Sequence, residues 1–148
     1  HRDLHSFPTR RSSDLGKGVI EREGKDVTIC ALQITVGMAL KAAALLEKEG
    51  ISAEVINLRT IKPYDEALIA ESVAKTSRLV LAQEGPKVGG WAAEISAMVS
   101  EKYFEYLSAP VGRVTCLDIP VSFAPVLEDY YMLTPDDIVR AAKAAVAF

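Results

Sequence analysis

The sequence predicts an α/β protein, a three-layer α/β/α sandwich built on a mostly parallel sheet. Three observations carry this. Short β-branched or apolar runs alternate with longer segments of helical period. The crossovers between successive runs are a dozen residues or longer, which suits parallel pairing. The strongest unit is the run Leu79-Val80-Leu81-Ala82, followed by the turn-rich loop Glu84-Gly85-Pro86-Lys87-Val88-Gly89-Gly90 and a helical pattern from Trp91. Strand, glycine-bearing loop and helix make half of a βαβ unit, and in open α/β sheets the loops at the carboxyl ends of strands are where ligands and partners bind.

In chain order, Val19 and Ile20 suit a short edge strand before the Gly24-Lys25-Asp26 turn. Val27 to Leu32 is a run of the kind buried on both faces of a parallel sheet. Thr35 is the expected N-cap of the next helix, with Val36, Leu40, Ala43 and Leu46 at helical spacing and Gly50 at its end. Ala53 to Asn57 is the second strand, and Leu58 to Pro63 is a connection with an extended bias before proline. Asp65 caps a helix reaching Thr76, with Leu68, Ile69 and Val73 as its stripe. In the helix from Trp91, Ile95, Val99, Tyr103 and Tyr106 share a face. Gly112 to Leu117 is the fourth strand. Ile119 to Leu133, with Pro120, Pro125 and the large apolar residues Phe123, Val126, Leu127, Tyr130, Tyr131, Met132 and Leu133, is too broken for one regular element and must pack on something. It covers an edge of its own sheet or forms half of a subunit contact. Thr134-Pro135-Asp136-Asp137 is a helix start: a threonine cap, proline at the first helical position and two carboxylates at the positive dipole end. That last helix turns Ile138, Ala142 and Ala145 inward.

Composition limits the function classes. With 49% hydrophobic and 25% charged residues, the chain has the balance of a globular protein. No apolar run reaches the roughly 20 residues that span a bilayer, and no leader pattern is visible. Residues 1–15 stand apart: His5 to Leu15 resembles the conceptual translation of a sequencing adapter, and the segment is read as a processing scar rather than part of the fold. From Gly16 onward 14 basic residues face 18 acidic ones, which is no footprint for nucleic acid. Both histidines lie in the scar, so the commonest general base and metal ligand is missing from the rest. Cys30 and Cys116 read as buried free thiols of a cytosolic protein, here expected to be bacterial in type.

The Glu84–Gly90 loop lacks the Gly-Lys-Ser/Thr ending of a P-loop and the Gly-x-Gly-x-x-Gly spacing of a dinucleotide site. Amides at the start of the Trp91 helix, with Lys87, would form an anion cradle in a free-standing small-molecule module. The competing reading gives Gly89 and Gly90 a tight turn or a close backbone approach. Trp91 is an interface anchor or a buried side chain. Glu84, directly after a strand, has no evident acid–base partner.

Five stretches together resemble a known family. They are Arg22 to Ile29, Gly50 to Pro63, Glu84-Gly85 with Gly89-Gly90, Ala109-Pro110-Val111 with Arg113-Val114-Thr115, and Phe123 to Glu128. In order and spacing they look like the C-terminal, transketolase C-terminal-type domain of the β subunit of thiamine-diphosphate-dependent 2-oxoacid dehydrogenases, pyruvate dehydrogenase type; a transketolase or a deoxyxylulose phosphate synthase shares Leu58–Pro63 only loosely. The resemblance implies one domain over 16–148 and a partnership with an α subunit and a second β subunit. It implies oxidative decarboxylation of a 2-oxo acid by the whole enzyme, with acyl transfer to the lipoyl group of an acyltransferase core. Thiamine diphosphate and Mg would then lie outside this segment, which would itself hold no catalytic, cofactor or metal residue. Its work would be subunit contact and docking of the acyltransferase's binding domain, with Glu84, Gly89, Gly90, Trp91, Phe123, Glu128, Tyr130, Tyr131 and Phe148 as candidates. Branched-chain 2-oxoacid and acetoin dehydrogenases are the related alternatives. The chain departs from the family pattern at Ala92 and Ser77, where glycine is usual, and over Leu32 to Gly37.

Overall fold

The computed structural model describes residues 15–148, so the scar assigned to the N-terminus lies outside the described residues except for Leu15. Five strands form one sheet: β1 (Val19–Arg22), β2 (Val27–Ala31), β3 (Ala53–Asn57), β4 (Leu79–Gln83) and β5 (Gly112–Thr115). Their spatial order is β1-β3-β2-β4-β5. β1 is an antiparallel edge strand on β3, and every other pairing is parallel. The helices are α1 (Ile34–Lys48), α2 (Glu66–Thr76), α3 (Trp91–Lys102), α4 (Pro125–Tyr131) and α5 (Pro135–Ala147).

Alternation along the central strands explains the two-sided core. Val27, Ile29 and Ala31 of β2, with Val80 and Ala82 of β4, join Ala39, Ala43, Ile138 and Ala142 of α1 and α5 on one face. Cys30, Leu79 and Leu81 point the other way, to Ile69 and Val73 of α2 and Ile95 and Val99 of α3. Residues two apart share a face of a strand, so strands buried on both sides are mostly apolar, and their buried polar residues Thr28, Glu54 and Gln83 are hydrogen-bonded. The expected three layers are present.

Two of the expected caps are in place. The Asp65 side chain accepts from Leu68 N–H, and Thr134 and Asp137 form a reciprocal capping box at α5. Thr35 is a correction: the N-cap of α1 is Gln33, at φ +55°, and Thr35 lies inside the helix, fully buried. Its Oγ1 sits 2.8 Å from Leu32 O and 2.9 Å from Ala82 O, and accepts from Leu32 N–H. The hydroxyl ties the turn after β2 to β4, a tertiary demand that outweighs its value as a cap. α3 ends at Lys102, short of the expected face through Tyr106; a 3-10 turn over Phe104–Tyr106 follows, with Tyr103 and Tyr106 stacked at 6.4 Å. β5 stops at Thr115, leaving Cys116 just beyond the strand but buried. The proline-broken segment 119–133 contains one short helix, α4, with Pro125 at its first turn. Ser77, where the family favours glycine, ends α2 in the left-handed region at φ +59°.

Candidate functional site

The register of β4 on β5 sets the site. Gln83 pairs with Thr115 at the carboxyl edge, so the loops after the two strands leave side by side. They are sewn together: Cys116 N–H donates to Gly85 O at 3.0 Å, and the Lys87 and Val88 amides donate to Asp118 Oδ1 at 2.6 and 3.2 Å. Leu117 N–H in turn donates to Tyr131 O at 3.3 Å, which brings α4 onto the same edge.

The residue that shapes the loop is Gln83, which sequence reasoning did not single out. Its side chain is buried; Nε2 donates to Pro86 O at 2.6 Å and Oε1 accepts from Ala92 N–H at 2.7 Å. One carboxamide thus fastens the loop to the first turn of α3. The two glycines serve different ends. Gly89 is needed for its positive φ of +76°, in open space. Gly90 is needed for room: a β-carbon there would lie 1.9 Å from Gln83 Nε2. Gly90→Ala must therefore push a buried, doubly bonded amide aside, and is expected to cost about 2 kcal/mol in urea unfolding. An unchanged midpoint would mean that Gln83 moves away freely. The only signal in sequence was a polar residue closing an apolar strand.

This bonding weighs on the anion-cradle reading. The amides of Lys87 and Val88 are taken by Asp118, that of Ala92 by Gln83 and that of Ala93 by Gly90 O. Among the described residues no group of three His, Cys, Asp or Glu could hold a metal ion. Four of the amides that a cradle would use are thus engaged within the protein.

What the edge does present is apolar surface. Phe123 is fully exposed, Val126 is 80% and Tyr130 73% exposed, and Val88 stands 79% exposed on the neighbouring loop. Tyr131 turns inward instead, into the core beside Leu133 and Cys116. Burial raises its hydroxyl above the ordinary tyrosine value, and the Cys116 thiol and the Glu84 and Asp118 carboxylates add to the rise. Glu84 and Glu128 are exposed, and Trp91 is half-buried against the α2–α3 core. Phe148 does not join this group. It lines a cleft of about 410 Å³ with Ser96, Ser100, Phe104 and Leu107 on the α3 side.

A second feature missed in sequence lies beneath α2. Glu54 of β3 is fully buried, yet Gly24 N–H and the hydroxyl of Ser72 donate to it, and Lys75 forms an ion pair with it. Thr28 Oγ1 extends the network to Ser72 and Thr76 at 2.6 and 2.7 Å. Burial alone would raise the Glu54 carboxyl. The Lys75 ammonium and the bonds from Ser72 and Gly24 outweigh it and hold the carboxyl below its usual range. Beside it, burial and the Glu54 charge push the Cys30 thiol far up, so it is an inert thiol.

The class of protein on view is a mostly parallel α/β sandwich with its connecting loops knitted at one edge, and with Phe123, Val126 and Tyr130 exposed beside them. The family described as "Transketolase, C-terminal domain" matches residues 16–138, and the chain belongs to that family. Over 131 residues it is 56% identical to the rice mitochondrial pyruvate dehydrogenase E1 component subunit beta-2, covering 88% of this chain and 35% of that one. It is 47% identical over 125 residues to the β subunit of acetoin:2,6-dichlorophenolindophenol oxidoreductase of Bacillus subtilis, covering 84% and 36%. Among solved structures, "Split gene transketolase, inactive beta4 tetramer" superposes with a TM-score of 0.78 at 39% identity, over 89% of this chain and 42% of that one. The chain thus spans roughly a third of the length of the curated relatives it matches.

Proposed function

We propose that residues 16–148 are the C-terminal, subunit-contacting domain of the β subunit of a pyruvate-dehydrogenase-type 2-oxoacid dehydrogenase. The observation that carries the reading is 56% identity to a pyruvate dehydrogenase β subunit over 88% of the chain, against 47% for the acetoin enzyme. The unpartnered face on α4 supports a contact role, since exposed apolar patches mark interaction surfaces. In the whole enzyme, thiamine diphosphate and Mg would be held outside these residues; the engagement of the Lys87, Val88 and Ala92 amides within the loop supports that reading. The partners are an α subunit and a second β subunit, and the exposed Phe148 by the α3 cleft is a candidate for docking the acyltransferase's binding domain. No described helix is long and apolar enough to cross a membrane. The Bacillus subtilis relative supports a bacterial-type cytoplasmic setting, whereas the rice relative is mitochondrial by name.

The test is assembly. Residues 16–148 replace the matching segment of the rice pyruvate dehydrogenase β subunit and, in parallel, of the Bacillus subtilis acetoin-enzyme β subunit. Each chimera is produced with its own α subunit. The proposal expects stoichiometric co-purification in the first case. Assembly only with the acetoin-enzyme partner would move the chain to that branch.

A further inference from the structure

The apolar face on α4 has a charge that selects its partner. From Val114 to Val139 the chain carries no lysine or arginine, but five carboxylates: Asp118, Glu128, Asp129, Asp136 and Asp137. Asp137 is paired with Arg140. Among the described residues the others make no ion pair, and neither does Glu84 across the edge. Val126 and Tyr130, four residues apart, share one side of α4 with Asp129 on the same exposed surface. The Leu117 amide bonded to Tyr131 O places Asp118, the next residue, at the C-terminal end of α4, and the Lys87 and Val88 amides on Asp118 hold the Glu84–Gly90 loop to it. Lys87 is the one cation on the adjoining loop.

We infer that this face binds a partner surface of apolar side chains flanked by lysine and arginine, a different chain rather than a second copy of this one. A two-fold contact of the face with itself would set carboxylates against carboxylates, since such an interface meets itself with the same patch. Like charges brought together at an interface repel, whereas a basic rim would be complementary. The apolar centre supplies the anchor, with Tyr130 of the residue type that dominates interface energies, and the acidic border supplies the selection. This deepens the reading of the face as a subunit contact and rests on it. It turns against the β-only arrangement named for the related tetramer.

The experiment uses the full chain with two fluorescent helical peptides of equal length and equal Leu/Phe content, one flanked by Lys and Arg, the other by Glu. The basic peptide is expected to bind at least tenfold more tightly than the acidic one. Its binding should weaken about tenfold between low and 0.5 M salt, where screening becomes short-ranged. Val126→Ser with Tyr130→Ala should abolish it, and Glu128→Lys with Asp129→Lys should shift preference to the acidic peptide. All four positions are exposed, so the variants keep the fold, which circular dichroism verifies. Equal binding of both peptides, or of neither, overturns the inference. So does sedimentation showing an oligomer of the chain alone that Tyr130→Ala disperses, because the occupant would then be a second copy. None of these outcomes touches co-purification of the chimera with its α subunit, so the two readings fail separately.

Discussion

Lys75→Met should lower stability at neutral pH by about 2–3 kcal/mol, a fall of roughly 10 °C in melting temperature. Breaking a buried pair costs more than the pair itself is worth, because the abandoned charge stays in low dielectric. Here Glu54 is fully buried while the Lys75 side chain is 42% exposed, so water softens the penalty below that of a wholly interior pair. Replacing both residues, Glu54→Leu with Lys75→Met, should return part of the loss, since no charge is then stranded. The pH dependence gives the sign. Glu54 in the folded protein is held below the ordinary value of 4.5, so its contribution is complete above that pH and fades as pH falls through the folded value. Lys75 is held above 10.5, chiefly by the bond to Glu54; its contribution is complete below that pH and fades as pH rises beyond it. In Lys75→Met burial dominates Glu54 and favours its protonated form, so the variant gains on the wild type as pH falls. Urea titrations between pH 3 and pH 8 should show the two curves converging on the acid side. A constant gap would show that Lys75 acts through packing alone.

Gly24→Ala should cost about 3 kcal/mol. A β-carbon at Gly24 would stand 2.1 Å from Glu54 N and 2.2 Å from Ala53 C, both backbone atoms of β3. Unlike Gln83 beside Gly90, that neighbour cannot rotate away; the turn between β1 and β2 would have to lift from the sheet. The shift would also withdraw the amide that reaches Glu54 Oε2 at 3.3 Å. Gly37→Ala is the matched control. It lies in α1 with nothing within 4 Å of the added atom, and should stabilise by about 0.5–1 kcal/mol. Equal effects from the two substitutions would contradict the close approach at Gly24.

The strands were legible because both-sided burial writes itself as apolar runs, and Leu79–Ala82 is the case in point; Ala53–Asn57 keeps the pattern at Ala53, Val55 and Ile56. Glu54 within that run was passed over: its partner Lys75 lies 21 residues away on α2, and only the packing of α2 on β3 brings them together. Asp65 and Thr134 declared their caps because a cap is local, made within three residues. Thr35 had the same local look but was claimed by Ala82 O, 47 residues on. Gly89 and Gly90 were marked as a pair, and the structure separates them: one serves backbone conformation, the other serves the Gln83 side chain. In the segment 119–133 the excess of apolar residues left two readings open, a cover for the sheet edge or half of a subunit contact; Tyr131 and Leu133 are buried in the core, whereas Phe123, Val126 and Tyr130 are exposed. Its helix was hidden because it has only seven residues and buries only Tyr131, too little to write a helical period.

The central claim is that this domain serves a pyruvate-dehydrogenase-type β subunit. It is tested most directly by the pyruvate-dependent reductive acetylation of lipoyl groups by the rice β-subunit chimera bearing residues 16–148 together with its α subunit. Turnover within a few-fold of the unaltered enzyme is expected, because the role proposed for the segment is contact, with no reacting group. An assembled but inactive chimera would contradict it, as it would mean that the native C-terminal segment contributes chemistry that this chain does not carry.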